Sequence, residues 1–222
     1  MNAFSNDNVS KLSLVGRMAY VLMCVEAYLV HVYPDRDWRL LAKAFCFFST
    51  TCFETWMLLY EQLTPDVALH DGEYNQIVQL LFTQDEYQYI IEQYRGITDG
   101  NLDDPNDELC MVLNIPFDLI YEYSADAPYM SLKTMMYAEK ASVDAIEKIV
   151  DVLHKHHIEL PDIHKLDSLV IKDKALVQVL SENTSESADI DKQKCLSRSN
   201  IEDIWGEHFD GEPLSIILNP NQ

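Results

Sequence analysis

Basic residues are scarcest where the acidic ones are densest. Between Glu61 and Met130 fifteen aspartates and glutamates face a single base, Arg95, so this stretch holds −14 of the chain's formal charge of −21. Such a field repels nucleic acid and anionic membrane. It favours a basic protein partner whose association slows as salt rises. Glycine and proline are also few, six and eight in 222 residues. Leu, Ile, Met, Tyr and Phe recur at helical rather than alternating intervals, so the composition reads as all-α. The five cysteines (Cys24, Cys46, Cys52, Cys110, Cys195) are odd in number and scattered with no CxxC pair, which argues against a disulfide framework and suits reduced thiols in the cytoplasm. The apolar stretches Met18 to Tyr33 and Ala44 to Tyr60 fall short of the roughly 20 residues that cross a bilayer, and Glu26 and Glu54 interrupt them. A convincing signal peptide is also missing. No GxSxG, P-loop or GxGxxG is present, so hydrolase, kinase and dehydrogenase readings start without support.

What is present is a series of amphipathic patterns long enough to bury a substantial core. A first helix is expected to reach Tyr33, where Pro34 stops it, with Leu14, Met18, Val21, Val25, Leu29 and Val32 on one face. A second, from Asp35 or Asp37 to Leu63, carries Trp38, Leu41, Phe45, Phe48, Cys52, Trp56, Leu59 and Leu63. Its bulk makes it the expected centre of the core, paired with the first helix as an antiparallel hairpin. A shorter helix follows over Glu73 to Phe82, and Thr83 to Glu86 is a capping box opening another that ends at Gly96. Asp104-Pro105 is read as a further start, with Pro116 kinking or dividing that helix. A long helix is expected from Pro128 to His157, with Leu132, Met136, Val143, Ile146, Val150 and Leu153 inward. Leu166 to Leu180 reads as helix or strand.

The fold expectation is one helical bundle of about six to eight helices with a small irregular or short-strand C-terminal appendage. Residues 1–180 form the helical domain, 181–200 a polar mobile linker, and 201–222 a segment packing back on that domain. Within that segment a short helix is expected over Ile201 to Phe209 and a short strand or extended piece over Leu214 to Leu218.

Several constellations invite a metal. Asp103, Asp104 and Asp107 spell DDxxD, which resembles the magnesium-diphosphate motif of all-α prenyl synthases. Pro105 sets those acids across a helix start, and no Lys or Arg stands by to grip diphosphate, so capping is the simpler role. Asp99, Asn101 and Asp103 imitate the opening of a calcium loop, but Asp104 replaces its glycine and Cys110 its final glutamate. His70-Asp71 resembles half of the paired ligands of HD-type phosphohydrolases. His154, His156, His157 and His164 cluster without a third ligand at fixed spacing. These readings leave no catalytic, cofactor or metal site assigned. A metal-dependent all-α phosphohydrolase or diphosphate enzyme stands as the alternative, and an acidic structural or regulatory subunit as another.

Tyrosine accompanies the acids, and together they suit an interface. Rings bring contact area with little entropy loss, while carboxylates pair with Lys or Arg. Tyr87 and Tyr94 fall on the inner face of their helix. The expected partner-binding set is therefore Asp99, Asp103, Asp104, Asp107 and Glu108, with Tyr89, Tyr121 and Tyr123.

The ending, Trp205-Gly206-Glu207-His208-Phe209-Asp210-Gly211-Glu212-Pro213-Leu214-Ser215-Ile216-Ile217-Leu218, resembles the C-terminal signature of a loosely defined group of small acidic helical proteins of Gram-positive bacteria. Gly16-Arg17-Met18-Ala19-Tyr20 through Asp37-Trp38 is similar to their opening helix pair. That group includes suspected immunity proteins of polymorphic toxin systems. The resemblance implies a non-catalytic inhibitor of a basic toxin domain, a nuclease for instance, and it carries over no catalytic residue.

Overall fold

In the computed structural model, which describes residues 9–49, 51, 53–124, 132–175, 177–178, 198–206 and 211–220, helix α1 (Leu14–Val32) is the hub. Its sequence is apolar on all sides, and a helix of that kind must be covered on all sides. Buried residues accordingly run from Leu14 to Leu29 with Val15 as the one break. Each fully buried Leu or Val contributes roughly 1.5–3 kcal/mol. Ser13 caps this helix by accepting a hydrogen bond from the Gly16 amide, and its hydroxyl donates to the Leu169 carbonyl at 3.0 Å.

Most of the cover comes from α6 (Glu108–Ser124) and α7 (Leu132–Lys155), which also pack on each other. Arg17, fully buried on α1, ties α1 to α7 and to the segment before α1. Its guanidinium donates to Ser142 Oγ of α7 at 2.7 Å and to the carbonyls of Leu12 and Ser10 at 3.1 Å each. By length and composition alone α1 could cross a membrane, but 78% of its most apolar window is buried inside the protein.

Among the described residues the fold is all-α in a single domain, with eight α-helices and no strand. The others are α2 (Arg39–Phe47), α3 (Phe53–Glu61), α4 (Pro65–His70), α5 (Gln84–Tyr94) and α8 (Arg198–Trp205). Short 3₁₀ turns occupy Val78–Leu80, Ile163–Leu166 and Glu212–Leu214.

The expected second long helix is two helices. After Phe47 the Ser49 hydroxyl donates to the Cys46 carbonyl at 2.8 Å, a local bond that competes with helix continuation, and α3 resumes at Phe53. Its aromatic stripe survives the break: Trp56 stacks on Tyr60 at 5.0 Å and meets Phe48 edge-on at 5.1 Å. The Trp56 indole donates to the Ala44 carbonyl at 2.8 Å, so the polar tip of this buried ring is satisfied. Neither is the centre of the core, a place taken by α1, nor do α1 and α2 form the main packing pair, since α1 spends its surface on α6 and α7.

Four further expectations are corrected. Glu73 to Phe82 is not an α-helix, because the Asn75 carboxamide accepts from the Ile77 and Val78 amides at 3.0 and 3.1 Å and fixes a 3₁₀ turn instead. Helix α6 starts at Glu108 rather than at Pro105, since Asp107 takes the capping role by accepting from the Cys110 amide at 2.9 Å. Of the two expectations for Pro116, division is set aside, since the proline lies inside an undivided α6. Leu214 to Leu218 is a turn rather than a strand.

The capping box held: Thr83 Oγ1 accepts from the Glu86 amide, and Glu86 reaches back to the Thr83 amide at 2.8 Å. In α7 the described inward residues Ile146, Val150 and Leu153 are buried, and Val143 is half-buried against the core. The side chains of Leu132 and Met136, like residues 181–197 and the Phe209 end of the tail helix, lie outside the described residues. Within Leu166 to Leu180 the described residues 174–175 and 177–178 are helical, with the Val177 amide donating to the Asp173 carbonyl at 3.2 Å, and Val170 makes an isolated bridge to Leu12, so the helical alternative holds for the end of that segment. Helix α8 begins at Arg198 and stops at Gly206, whose φ of +95° and approach to Ser13 leave no room for a side chain.

Candidate functional site

Four of the fifteen mid-chain acids, Asp99, Asp103, Asp104 and Asp107, lie on the loop from Ile97 to Asp107, pinned between α4 and α6, while others are spread over the helices, Glu86 as a cap and Glu92 in an ion pair. Gly100, at φ +76°, sits so close to the Pro65 carbonyl that a Cβ there would lie 2.6 Å from it. Short polar side chains then fold the loop turn by turn. Asp99 accepts from the Asn101 amide at 3.0 Å, Asn101 from the Asp103 amide at 3.1 Å, and Asp104 from the Asn106 amide at 2.9 Å. Asp107 takes both the Cys110 amide and the Thr98 hydroxyl. Asp99 and Asp103 remain exposed, Asp104 half-buried, and Leu102 between them is 53% exposed. The single base of this stretch, Arg95, pairs with Glu92 at 2.8 Å.

Glu108 faces inward instead. Its carboxylate holds three elements together by accepting from Tyr28 of α1 at 3.2 Å and pairing with Lys155 and His156 at the end of α7. Burial pushes its carboxyl up, but the hydrogen bonds and charges of Lys155 and His156 outweigh that and hold it below the usual glutamate range. The Tyr28 ring also meets His156 edge-on at 5.6 Å.

Of the expected tyrosines, Tyr89 is 43% exposed and donates to Asp37 at 3.2 Å. Asp37 lies low, at about 2, chiefly because Arg39 hydrogen-bonds it. Tyr121 and Tyr123 belong to α6, and their side chains lie outside the described part of the structure. Tyr87 and Tyr94 are core, donating to the carbonyls of Gln62 and Leu63. The structure therefore unites Asp99, Asp103 and Asp104 on one loop, ties Asp107 into its base, and takes Glu108 inside.

No three His, Cys, Asp or Glu side chains among the described residues converge as metal ligands. His70 and Asp71, at the end of α4, are both exposed. Cys110 is buried, and that burial pushes its thiol up to about 12, which favours the neutral thiol.

A group not singled out as a site from sequence is Glu26, 2% exposed on α1. Its carboxylate accepts the Ser215 hydroxyl at 2.8 and 3.0 Å, the Ile216 amide at 2.8 Å and the Ile217 amide at 3.3 Å. Burial raises it to about 7 against the opposing pull of those hydrogen bonds. The available signal was a lone acid inside the apolar run Leu22-Met23-Cys24-Val25-Glu26-Ala27-Tyr28-Leu29. No known protein family, no curated protein and no solved structure matches the chain.

Proposed function

We propose that this chain is a non-catalytic immunity or inhibitor protein that binds a basic protein domain through the acidic loop. The observation that supports it is the pinned geometry of Asp99, Asp103 and Asp104. Asp99 and Asp104 accept loop amides and the Asp103 amide is held by Asn101, so the loop backbone is ordered before a partner arrives and little entropy is lost on binding. No base of the loop neutralises them, and Leu102 adds an apolar knob amid the charge. Enzymes that act on phosphates need a cationic cleft, and a surface of this kind can occupy such a cleft and exclude its substrate. Asp107 and Glu108 serve the same surface indirectly, as the posts that hold the loop and the start of α6.

The test is capture of partners from the native host by the full chain and by a variant carrying D99K, D103K and D104K, at 50 mM and 500 mM salt. The expected partner is basic, is released at the higher salt and binds the variant on the order of 100-fold more weakly. A partner held equally by both proteins would show that the loop is the wrong surface.

A further inference from the structure

Among the described residues Glu26 has no counter-ion. Among the described residues lining the cleft beside it, Ala19, Leu22, Met23, Phe45, Phe48 and Leu214 are apolar, and the cleft has a volume of about 30 Å³. The titratable group that faces it from α2 is the Cys46 thiol. From the tail come Ser215 and the backbone, while Glu212 points to solvent as an exposed residue. No described lysine, arginine or histidine lines that space.

The tail itself is built around the carboxylate. After the Glu212–Leu214 turn, Ser215 gives its hydroxyl to Glu26 and accepts the Leu218 amide at 3.0 Å, so one side chain both docks the segment and closes its turn. A second attachment lies one turn of chain away, where the Gly211 amide donates to Ser49 Oγ at 3.0 Å. The two contacts hold the tail over the gap between α1 and α2.

The geometry points to a strap: residues 211–218 dock on Glu26 as a pH-responsive cover of the apolar cleft, held more tightly in mild acid and released more readily above neutral pH. The reason is the burial of a carboxylate without a cation. With the strap in place the carboxylate is shut away from water. With the strap lifted, water reaches it and restores its ordinary affinity for a proton.

Docking therefore takes up a proton, and the sign follows from linkage. The stabilisation is fully present below the ordinary glutamate value near 4.5 and is lost as pH rises through about 7. Protonated Glu26 still serves the strap, because its carbonyl oxygen accepts the Ile216 and Ile217 amides while its hydroxyl can donate to Ser215 Oγ. Between pH 8 and pH 5.5 the docking equilibrium should tighten by roughly 30-fold, the ratio those two affinities imply.

Hydrogen exchange of the peptide covering Leu214 to Asn219 reads this directly in the full chain, once corrected for the intrinsic pH dependence of exchange. The buried first-layer amides of Ile90 and Ile91 in α5 serve as the reference for global unfolding. The wild type is expected to gain about 30-fold protection in the tail from pH 8 to pH 5.5 relative to that reference. Glu26→Gln, neutral at every pH, should show a ratio near one. Ser215→Ala keeps the carboxylate and should lose protection at both pH values while retaining at least the wild-type ratio. Equal protection at both pH values, or protection that falls on acidification, overturns the strap. So does a wild-type ratio that survives in Glu26→Gln, or a ratio of one in Ser215→Ala.

Discussion

Arg17 and Glu26 are opposite charges buried on one helix, about 13 Å apart along its axis at 1.5 Å per residue, and each is satisfied elsewhere. Arg17 is held by carbonyls and the Ser142 hydroxyl, Glu26 by amides and the Ser215 hydroxyl. A buried ion so held is costly to remove on one side, because its neighbours lose partners they cannot replace from water. Arg17→Met keeps the length of the apolar stem and removes the guanidinium donors to the carbonyl oxygens of Leu12 and Ser10 and to the hydroxyl of Ser142. It should lower the unfolding free energy by about 3 kcal/mol, read as a fall in the urea midpoint with an unchanged slope. A loss below about 0.5 kcal/mol would mean that these groups find other donors. At this scale the sequence showed that Glu26 was unusual, since an acid in an apolar run is conspicuous. It could not show what the acid holds, because its partners lie 189 to 191 residues along the chain.

Among elements, α5 is the one whose limits were most legible, for its signals are local. Thr83 and Glu86 satisfy each other's amides within a single turn, and no distant residue is needed to read them. Thr83→Ala removes the side-chain acceptor for the Glu86 amide and should cost about 1 kcal/mol, with faster amide exchange in the first turn of α5 and none of that change in α7. The 39–61 region shows the opposite case. Its apolar stripe is continuous, and all but Cys52, which is not described, are buried as expected, yet the helix breaks after Phe47. Ser49 turns away from helix to bond the Cys46 carbonyl and to receive the Gly211 amide 162 residues later. The start of α6 moved for a similar reason. Proline at a first helical position was a sound local signal, but Thr98 and the Cys110 amide both converge on Asp107 and place the cap there.

For the whole molecule the dominant quantity is the formal charge of −21. Like charges on a folded body repel, so the compact state loses stability at low ionic strength, and salt relieves the repulsion. Raising NaCl from 10 to 300 mM should stabilise the isolated chain by about 1 kcal/mol, a rise of roughly 2–4 °C in Tm for a protein of this size. Binding of a basic partner should weaken over the same range. A Tm that falls with salt would mean that attractive pairs such as Glu108 with Lys155 and His156 outweigh the general repulsion. The amino-acid sequence by itself determined the helical class, the apolar faces, the charge imbalance and the locally capped turns, because each depends on residues within a few positions of one another. Which helix is the hub, which acids point outward and which are consumed as posts, and that the tail docks on Glu26, were decided only by tertiary structure. Those outcomes depend on partners a hundred residues or more apart, and on burial that no local pattern specifies.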